Sequence, residues 1–264
     1  MPSPIIAAII GSGGKTTLMN RLAQSSPGRV LMTTTTHLAY PAAVPASAAG
    51  FHALKPGNAS AHGQIYPGRF VPFSSCAALA QYWNEHPEEK VILSARLDCE
   101  GRQLLSLSPN EADELSALPG LSRLLAEADG SKHLPIKAHR DNEPVLFSSC
   151  NLGIAVIGLT AIGRQVCEGQ VHRPELLQKL LQCSAEHRLT PQDLAKAMLA
   201  YLEKFSCPRR IAVLSQGEHC PEEYTKETEK ALLRLLRDYP QDWARQVLVT
   251  TAAEFPLALE KLPS

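Results

Sequence analysis

The chain has 264 residues, 44% of them hydrophobic, and its 26 basic and 26 acidic side chains cancel to a formal net charge of zero. That length can bury a large core, and the charge balance gives no general footing for nucleic acid or an anionic membrane. The N-terminal apolar run has no basic leader, and no stretch is long enough to span a bilayer, so the expectation is a cytoplasmic protein with neither a membrane nor a nucleic-acid partner. Seven cysteines are present, none spaced as C-x-x-C, and they are expected to be reduced thiols without a zinc or iron–sulfur role.

Ile5–Ile10 is apolar on both faces and predicts a central parallel strand. It runs into Gly11-Ser12-Gly13-Gly14-Lys15-Thr16-Thr17, a glycine-rich turn with a helix expected from Thr16 to about Ala23. Strand, turn and helix in this order form a phosphate-cradling loop. The glycines let backbone N–H groups converge on an anion, helped by the positive end of the helix. Lys15 supplies charge to the outer phosphates, and the Thr16 hydroxyl suits a magnesium ion. The full loop pattern has glycine where this chain has Ile9, which the strand accounts for.

Arg29–Met32 predicts a second strand that runs into Thr33-Thr34-Thr35-Thr36-His37. The threonine hydroxyls, Thr35 and Thr36 foremost, either face the nucleotide at a strand end or simply prolong the strand as β-branched residues. Residues 40–66 are rich in Ala, Pro, Gly and Ser and read as a lid or insertion. Arg69–Pro72 and Val91–Ala95 read as strands, and Ala77–Trp83 as a helix. Leu104–Leu107 is expected to pair with Val91–Ala95 through the Cys99–Gly101 turn. Ser108-Pro109-Asn110-Glu111 is a capping box that opens another helix.

The stretch LSRLLAEADG, Leu121 to Gly130, delivers two acids to the end of a strand. Asp129 is the expected magnesium group, held through the ion's water shell, and Glu127 the group that orients the attacking water. The basic segment Ser131 to Arg140 follows, with Lys137, and reads either as a solvated loop or as a switch that changes shape on hydrolysis. Asn151–Leu159 is a buried strand. His172 and Arg173 are candidate phosphate or partner contacts ahead of a helix opened by Pro174 and Glu175. Thr190-Pro191-Gln192-Asp193 starts a further helix, Arg210–Leu214 is a strand, and Tyr224, Thr228, Ala231 and Leu235 share a helix face. Gln246–Thr250 is the last strand, and a final helix is expected through Leu257.

Alternating strands and helices specify an α/β fold, P-loop NTPase-like, with a mostly parallel sheet and helices on both faces. The expectation is one domain over 1–264 with a lid or insertion around 40–75. GSGGKTT, LMTTTTH, LLAEADGSKHLPIKA with Glu143-Pro144-Val145, VIGLTAIG and VHRPE together resemble the YqeC family, over roughly Ile5 to Arg210. Members are described as accessory proteins of selenium-dependent molybdenum hydroxylases. The resemblance implies a magnesium-dependent nucleoside triphosphatase, using ATP or GTP, that works with a molybdenum hydroxylase or a molybdenum cofactor maturation protein. It implies phosphate and magnesium roles for Gly14, Lys15 and Thr16 and places Asp129 at the family's acid. Thr33 to Thr36, Lys137, His172 and Arg173 match further motif positions. Ser215-Gln216-Gly217-Glu218 stands where related NTPases read guanine with Asn-Lys-x-Asp, leaving ATP and GTP both open. The alternatives are a Mur-like ATP-dependent ligase or kinase on a small molecule, a non-hydrolysing nucleotide-binding chaperone, and a selenium or sulfur carrier that uses a cysteine.

Overall fold

A computed structural model describes residues 3–39, 67–98, 103–241 and 247–252. The expected lid over 40–66, the Cys99–Gly101 turn and the final helix through Leu257 lie outside these residues. The strands in chain order are β1 (Ile5–Gly11), β2 (Arg29–Thr34), β3 (Leu38–Ala39), β4 (Arg69–Phe70), β5 (Val91–Leu93), β6 (Arg96–Leu97), β7 (Gln103–Leu105), β8 (Leu121–Glu127), β9 (Leu152–Gly158), β10 (Arg209–Ser215) and β11 (Val247–Thr251). The helices are α1 (Lys15–Gln24), α2 (Cys76–Glu85), α3 (Pro109–Ser116), α4 (Pro174–Leu181), α5 (Pro191–Leu202) and α6 (Glu222–Arg237). The fold is α/β on an eight-stranded, mostly parallel sheet in the order β11-β10-β9-β1-β8-β2-β5-β4, as the alternating pattern predicts.

The chain divides into two compact units, one of Met1–Ala8, Thr16–Asp129 and Val145–Cys150, the other of Ile9–Lys15, Gly130–Pro144 and Asn151–Ser264. In the first, β2 pairs in parallel with β8 and β5, so that Met32 aligns with Leu125 and with Leu93. Val30, Leu31 and Met32 are wholly buried, the continuous apolar run that a strand covered on both faces requires. Arg29 lies over the Trp83 ring, 5.5 Å from its centroid, and donates to the Trp83 carbonyl. Ser108 and Glu111 close the expected capping box at the start of α3. One pairing differs from the sequence expectation. The strand at Gln103–Leu105 runs antiparallel to β6 and β3 in a separate three-stranded sheet, not alongside Val91–Leu93. Both edges of β5 are already occupied, by β2 and β4, so a returning strand finds no open ladder there.

In the second unit β9 lies between β10 and β1 in the sheet order, and every one of its residues is buried. A Cβ on Gly153 would come 2.4 Å from the Phe205 ring, so glycine is needed for that ring to pack flat on the strand. Thr190 and Asp193 form a capping box on α5, whose Leu194, Met198 and Tyr201 are buried as predicted. On α6 the buried stripe is Thr228, Leu232 and Leu236. The helix is thus turned by one residue from the expected face, and Ala231 and Leu235 flank the stripe, half-buried.

Candidate functional site

The glycine-rich loop belongs, up to Lys15, to the second unit. β1 ends at Gly11 with φ +98°, and Gly13 and Gly14 follow at +80° and +119°, the region that favours glycine. A Cβ on Gly11 would lie 2.1 Å from the Val156 carbonyl oxygen, and one on Gly13 would lie 2.7 Å from the Gly158 backbone. The loop is thereby pressed against β9, and the Ser12 N–H donates to the Val156 carbonyl at 2.8 Å. Gly14 is exposed, and a Cβ there would meet only Ser215, at 3.9 Å. The Ser12 hydroxyl is buried and has no hydrogen-bond partner among the described residues. Lys15 is 4% exposed, and its ammonium donates to the Gly11 carbonyl at 2.7 Å and approaches the Ser131 hydroxyl at 3.5 Å.

Two groups that steady this loop escape the motif reading. The Ser215 hydroxyl donates to the Gly13 and Ile157 carbonyls, so the serine standing where asparagine would help read a base instead ties down the loop. The Pro135 carbonyl accepts from the Gly158 N–H at 2.9 Å. Gln216, at φ +60°, accepts from the Thr160 hydroxyl, and Glu218 is exposed. No local signal marks Ser131; only its place just after the acidic strand end brings it near Lys15.

Thr16 belongs to the first unit. Its hydroxyl donates to the Glu127 carboxylate at 3.0 Å, and Glu127 is 4% exposed at the end of β8. Thr17 is exposed on α1. Asp129, two residues on, is buried. The threonine run is buried and internally bonded: Thr33 donates to the Ser94 carbonyl, Thr34 to the Thr36 and Glu127 carbonyls, and Thr35 to the Val145 carbonyl at 2.6 Å. The Thr36 N–H donates to the Thr34 hydroxyl at 3.0 Å. β2 extends to Thr34, as the strand-prolonging reading expects, and the hydroxyls of Thr33, Thr34 and Thr35 are taken up by backbone carbonyls.

The basic segment divides into an exposed tip and a buried stem. Lys132 and His133 are exposed in left-handed conformations, at φ 49° and 60°. Pro135, Ile136, Lys137 and Ala138 are buried. The Lys137 side chain is 0% exposed; its ammonium donates to the Gly130 carbonyl at 2.7 Å and pairs with Glu143 at 3.4 Å. Arg173 pairs with the same Glu143 through both nitrogens and donates to the Ala138 carbonyl at 3.1 Å. Burial raises the Glu143 carboxyl, but the Arg173 hydrogen bond and the charges of Lys137 and Arg173 outweigh it and hold it below its ordinary value. The backbones of Ile136, Ala138 and His172 exchange hydrogen bonds, which fixes His172 beside the stem. Lys137 and Arg173, read from sequence as cofactor contacts, are engaged with Glu143, and His172 lies beside them.

Six of the cysteines fall among the described residues, and no disulfide joins any of them. Burial pushes the Cys76 thiol up to about 11, and the Glu114 carboxylate beside it pushes the same way. Among the described residues no group of three His, Cys, Asp or Glu is placed to hold a metal by itself, and no helix is long and apolar enough to cross a membrane.

A family model described as "YqeC protein" matches residues 7–175. The "Uncharacterized protein YqeC" of Escherichia coli (strain K12) is 31% identical over 174 residues, 64% of this chain and 58% of that protein. The chain therefore aligns with less than two thirds of that relative's length. The matched region holds the glycine loop, the threonine run, the acidic strand end and the Lys137–Glu143–Arg173 network, and on it the chain belongs to the YqeC family.

Proposed function

We propose that the protein binds a magnesium nucleoside triphosphate on the Gly11–Thr17 loop and hydrolyses it slowly, as an accessory protein in the maturation of a selenium-dependent molybdenum hydroxylase. The observation that carries the first half is the loop's chemistry. It offers an anion an open Gly14, a buried Ser12 hydroxyl without a partner, and the Lys15 ammonium resting on a loop carbonyl. Every one of these groups can donate or make room, which is what a polyphosphate needs. Thr16 and Glu127 supply hard oxygen ligands of the kind magnesium takes, directly or through its waters. The hydrogen bond from Thr16 favours Glu127 over Asp129 for this role, leaving Asp129 to orient water. Bound magnesium would neutralise charge developing on the outer phosphates. The chain's own part is to position those phosphates with the loop N–H groups and Lys15. The client and the direction towards molybdenum hydroxylase maturation rest on the family resemblance. Both ATP and GTP are kept, since Ser215, which stands where related NTPases carry asparagine, is committed to the loop.

Calorimetric titration with non-hydrolysable ATP and GTP analogues, with and without magnesium, tests this reading. Magnesium-dependent binding of one of them is expected, weakened roughly 10–100-fold in Lys15→Ala, the cost of losing a charged donor to phosphate. Affinity unchanged in Lys15→Ala overturns it.

A further inference from the structure

Tyr201 has no part in the nucleotide reading, yet the glycine loop and the stem both rest on it. The residue lies on α5 and is 1% exposed. A Cβ on Gly11 would come 3.1 Å from its Cε2, so the ring closes the space behind the first glycine of the loop. At the other end of the side chain, the hydroxyl accepts from the Lys137 N–H at 3.1 Å and donates to the Lys137 carbonyl at 2.6 Å. His139 meets the same ring edge-on, with centroids 4.9 Å apart. The double hydrogen bond has a reason in the backbone. Lys137 bridges in parallel to His172, with the Ile136 carbonyl and the Ala138 N–H turned towards that residue. Along an extended segment successive peptide groups alternate in direction, so the N–H and carbonyl of Lys137 itself face the opposite way. Buried, they need partners, and a second strand would ordinarily supply them. Here one hydroxyl, able both to donate and to accept, takes that place.

We propose that Tyr201 is a positioning residue for the Lys15 ammonium, a role that rests on the nucleotide reading of the loop. Two of the oxygens near that ammonium trace back to the same phenol. One is the Gly11 carbonyl, 2.7 Å away, on the residue that the ring backs. The other is the Ser131 hydroxyl, 3.5 Å away. Ser131 follows Gly130, whose carbonyl accepts from the Lys137 ammonium at 2.7 Å, and Lys137 is the residue whose backbone Tyr201 holds. The stem meets the loop again at Pro135. Its carbonyl accepts from the Gly158 N–H at 2.9 Å and lies 3.2 Å from where a Gly13 Cβ would be. All of these residues belong to the second unit. A core tyrosine that only filled space would need a single partner for its hydroxyl, anywhere within reach. This one ties the segment that bears Ser131 to the segment that bears Lys15, and so sets the direction in which the ammonium meets a phosphate.

Tyr201→Phe keeps the ring behind Gly11 and removes both hydrogen bonds to Lys137. The affinity for the magnesium complexes of non-hydrolysable ATP and GTP analogues is measured by calorimetry for wild type, Tyr201→Phe and Leu236→Ala, each with and without Lys15→Ala. Leu236 is buried on α6, so its truncation lowers stability while the phenol stays, and every titration is run below the unfolding range of the variants. Tyr201→Phe is expected to weaken binding roughly 3–10-fold, the scale of a lost hydrogen bond, and Leu236→Ala by less than about twofold. With Lys15→Ala the Tyr201→Phe loss should vanish, because the phenol acts through that ammonium. Amide hydrogen exchange in the ligand-free protein reads the same tie without nucleotide. Tyr201→Phe should speed exchange of the Gly158 N–H, relative to that of Ile154 on the same strand, by roughly tenfold. Ser131→Ala should also weaken binding and Ser131→Thr restore it, which tests the far end of the tie with the core untouched. An affinity or a Gly158 rate that Tyr201→Phe leaves unmoved overturns the inference. So does an equal loss in the Lys15→Ala background or in Leu236→Ala, or a Ser131→Ala variant that binds as wild type does. Binding that weakens in Lys15→Ala but not in Tyr201→Phe removes only the positioning role. A wild type that binds neither nucleotide removes the proposed function and with it the role towards phosphate, while the Gly158 rate still decides whether Tyr201 holds the stem.

Discussion

Glu143 joins two cations, and the consequence of removing it can be set against that of removing one of them. The Lys137 side chain is 0% exposed, Arg173 13% and Glu143 20%. Glu143→Gln removes the carboxylate that the buried Lys137 ammonium shares with Arg173. Breaking a buried pair in this way costs about 3–5 kcal/mol, and the partial exposure of Glu143 argues for about 3. Lys137→Met leaves Glu143 with Arg173, orphans the Gly130 carbonyl and removes a desolvated charge. These effects oppose each other, and a net loss of about 0–1.5 kcal/mol is expected. Urea unfolding at pH 7 with an unchanged m-value measures both, and the double variant should cost less than the sum, because neutral glutamine no longer faces a buried cation. The pH dependence has a definite sign. The folded Glu143 pKa lies below its ordinary 4.5, so its contribution is complete above that value and is lost as pH falls through the lower folded one. The gap between wild type and Glu143→Gln should therefore be constant near neutrality and close in acid. A Lys137→Met variant less stable than Glu143→Gln would refute the picture of Glu143 as the shared anion.

Gly13→Ala should destabilise the protein by about 2–4 kcal/mol, because a Cβ would lie 2.7 Å from the Gly158 backbone at φ +80°. Gly130→Ala, whose Cβ would meet nothing within 4 Å, should fall within about 0.5 kcal/mol of wild type in the same thermal or urea unfolding series. Glu127→Gln should raise the magnesium concentration needed for nucleotide binding by roughly 10–100-fold, because it removes the negative charge beside the Thr16 hydroxyl while leaving an acceptor there. A magnesium titration at fixed nucleotide checks this, and an unchanged midpoint would return the role to Asp129.

How much of this could be read from the chain follows from the range of the forces involved. β1, the glycine turn and α1 are local: an apolar run, backbone positions that need glycine and a helix start lie within twenty residues, and the structure puts them where the pattern does. The capping boxes at Ser108 and Thr190 are equally local and equally legible. The partner of Gln103–Leu105 was not, because which edge of Val91–Leu93 stays open depends on β2 and β4, whose pairings are set by the whole sheet. The α6 face was off by one residue for a related reason. A stripe of Thr228, Leu232 and Leu236 and one shifted by a residue are both apolar enough, and packing in the folded unit chooses between them.

The same distinction separates the two acids at the end of β8. Both carboxylates were visible in the sequence, and alternation places them on one side of the strand, so position along β8 was the only criterion for choosing Asp129 over Glu127 as the magnesium group. That criterion favours the residue farthest along the strand. The structure supplies another, the partner of the side chain. Glu127 accepts from Thr16, the residue whose hydroxyl the loop motif offers to the metal, across 111 positions of sequence. A carboxylate that already orients that hydroxyl is, on the proposed reading, placed to hold an ion's water shell beside it. The Lys137 ammonium makes the complementary point. In sequence it is a basic residue in a basic loop, free to be solvated. In the fold it is wholly buried on the Gly130 carbonyl, so it fixes the backbone directly after Asp129, and in the proposed function the phosphate-facing charge falls to Lys15. A switch motion of the whole segment would have to break the Glu143 pairs, so any rearrangement driven by nucleotide belongs to the exposed Lys132–His133 tip, while the stem stays in place.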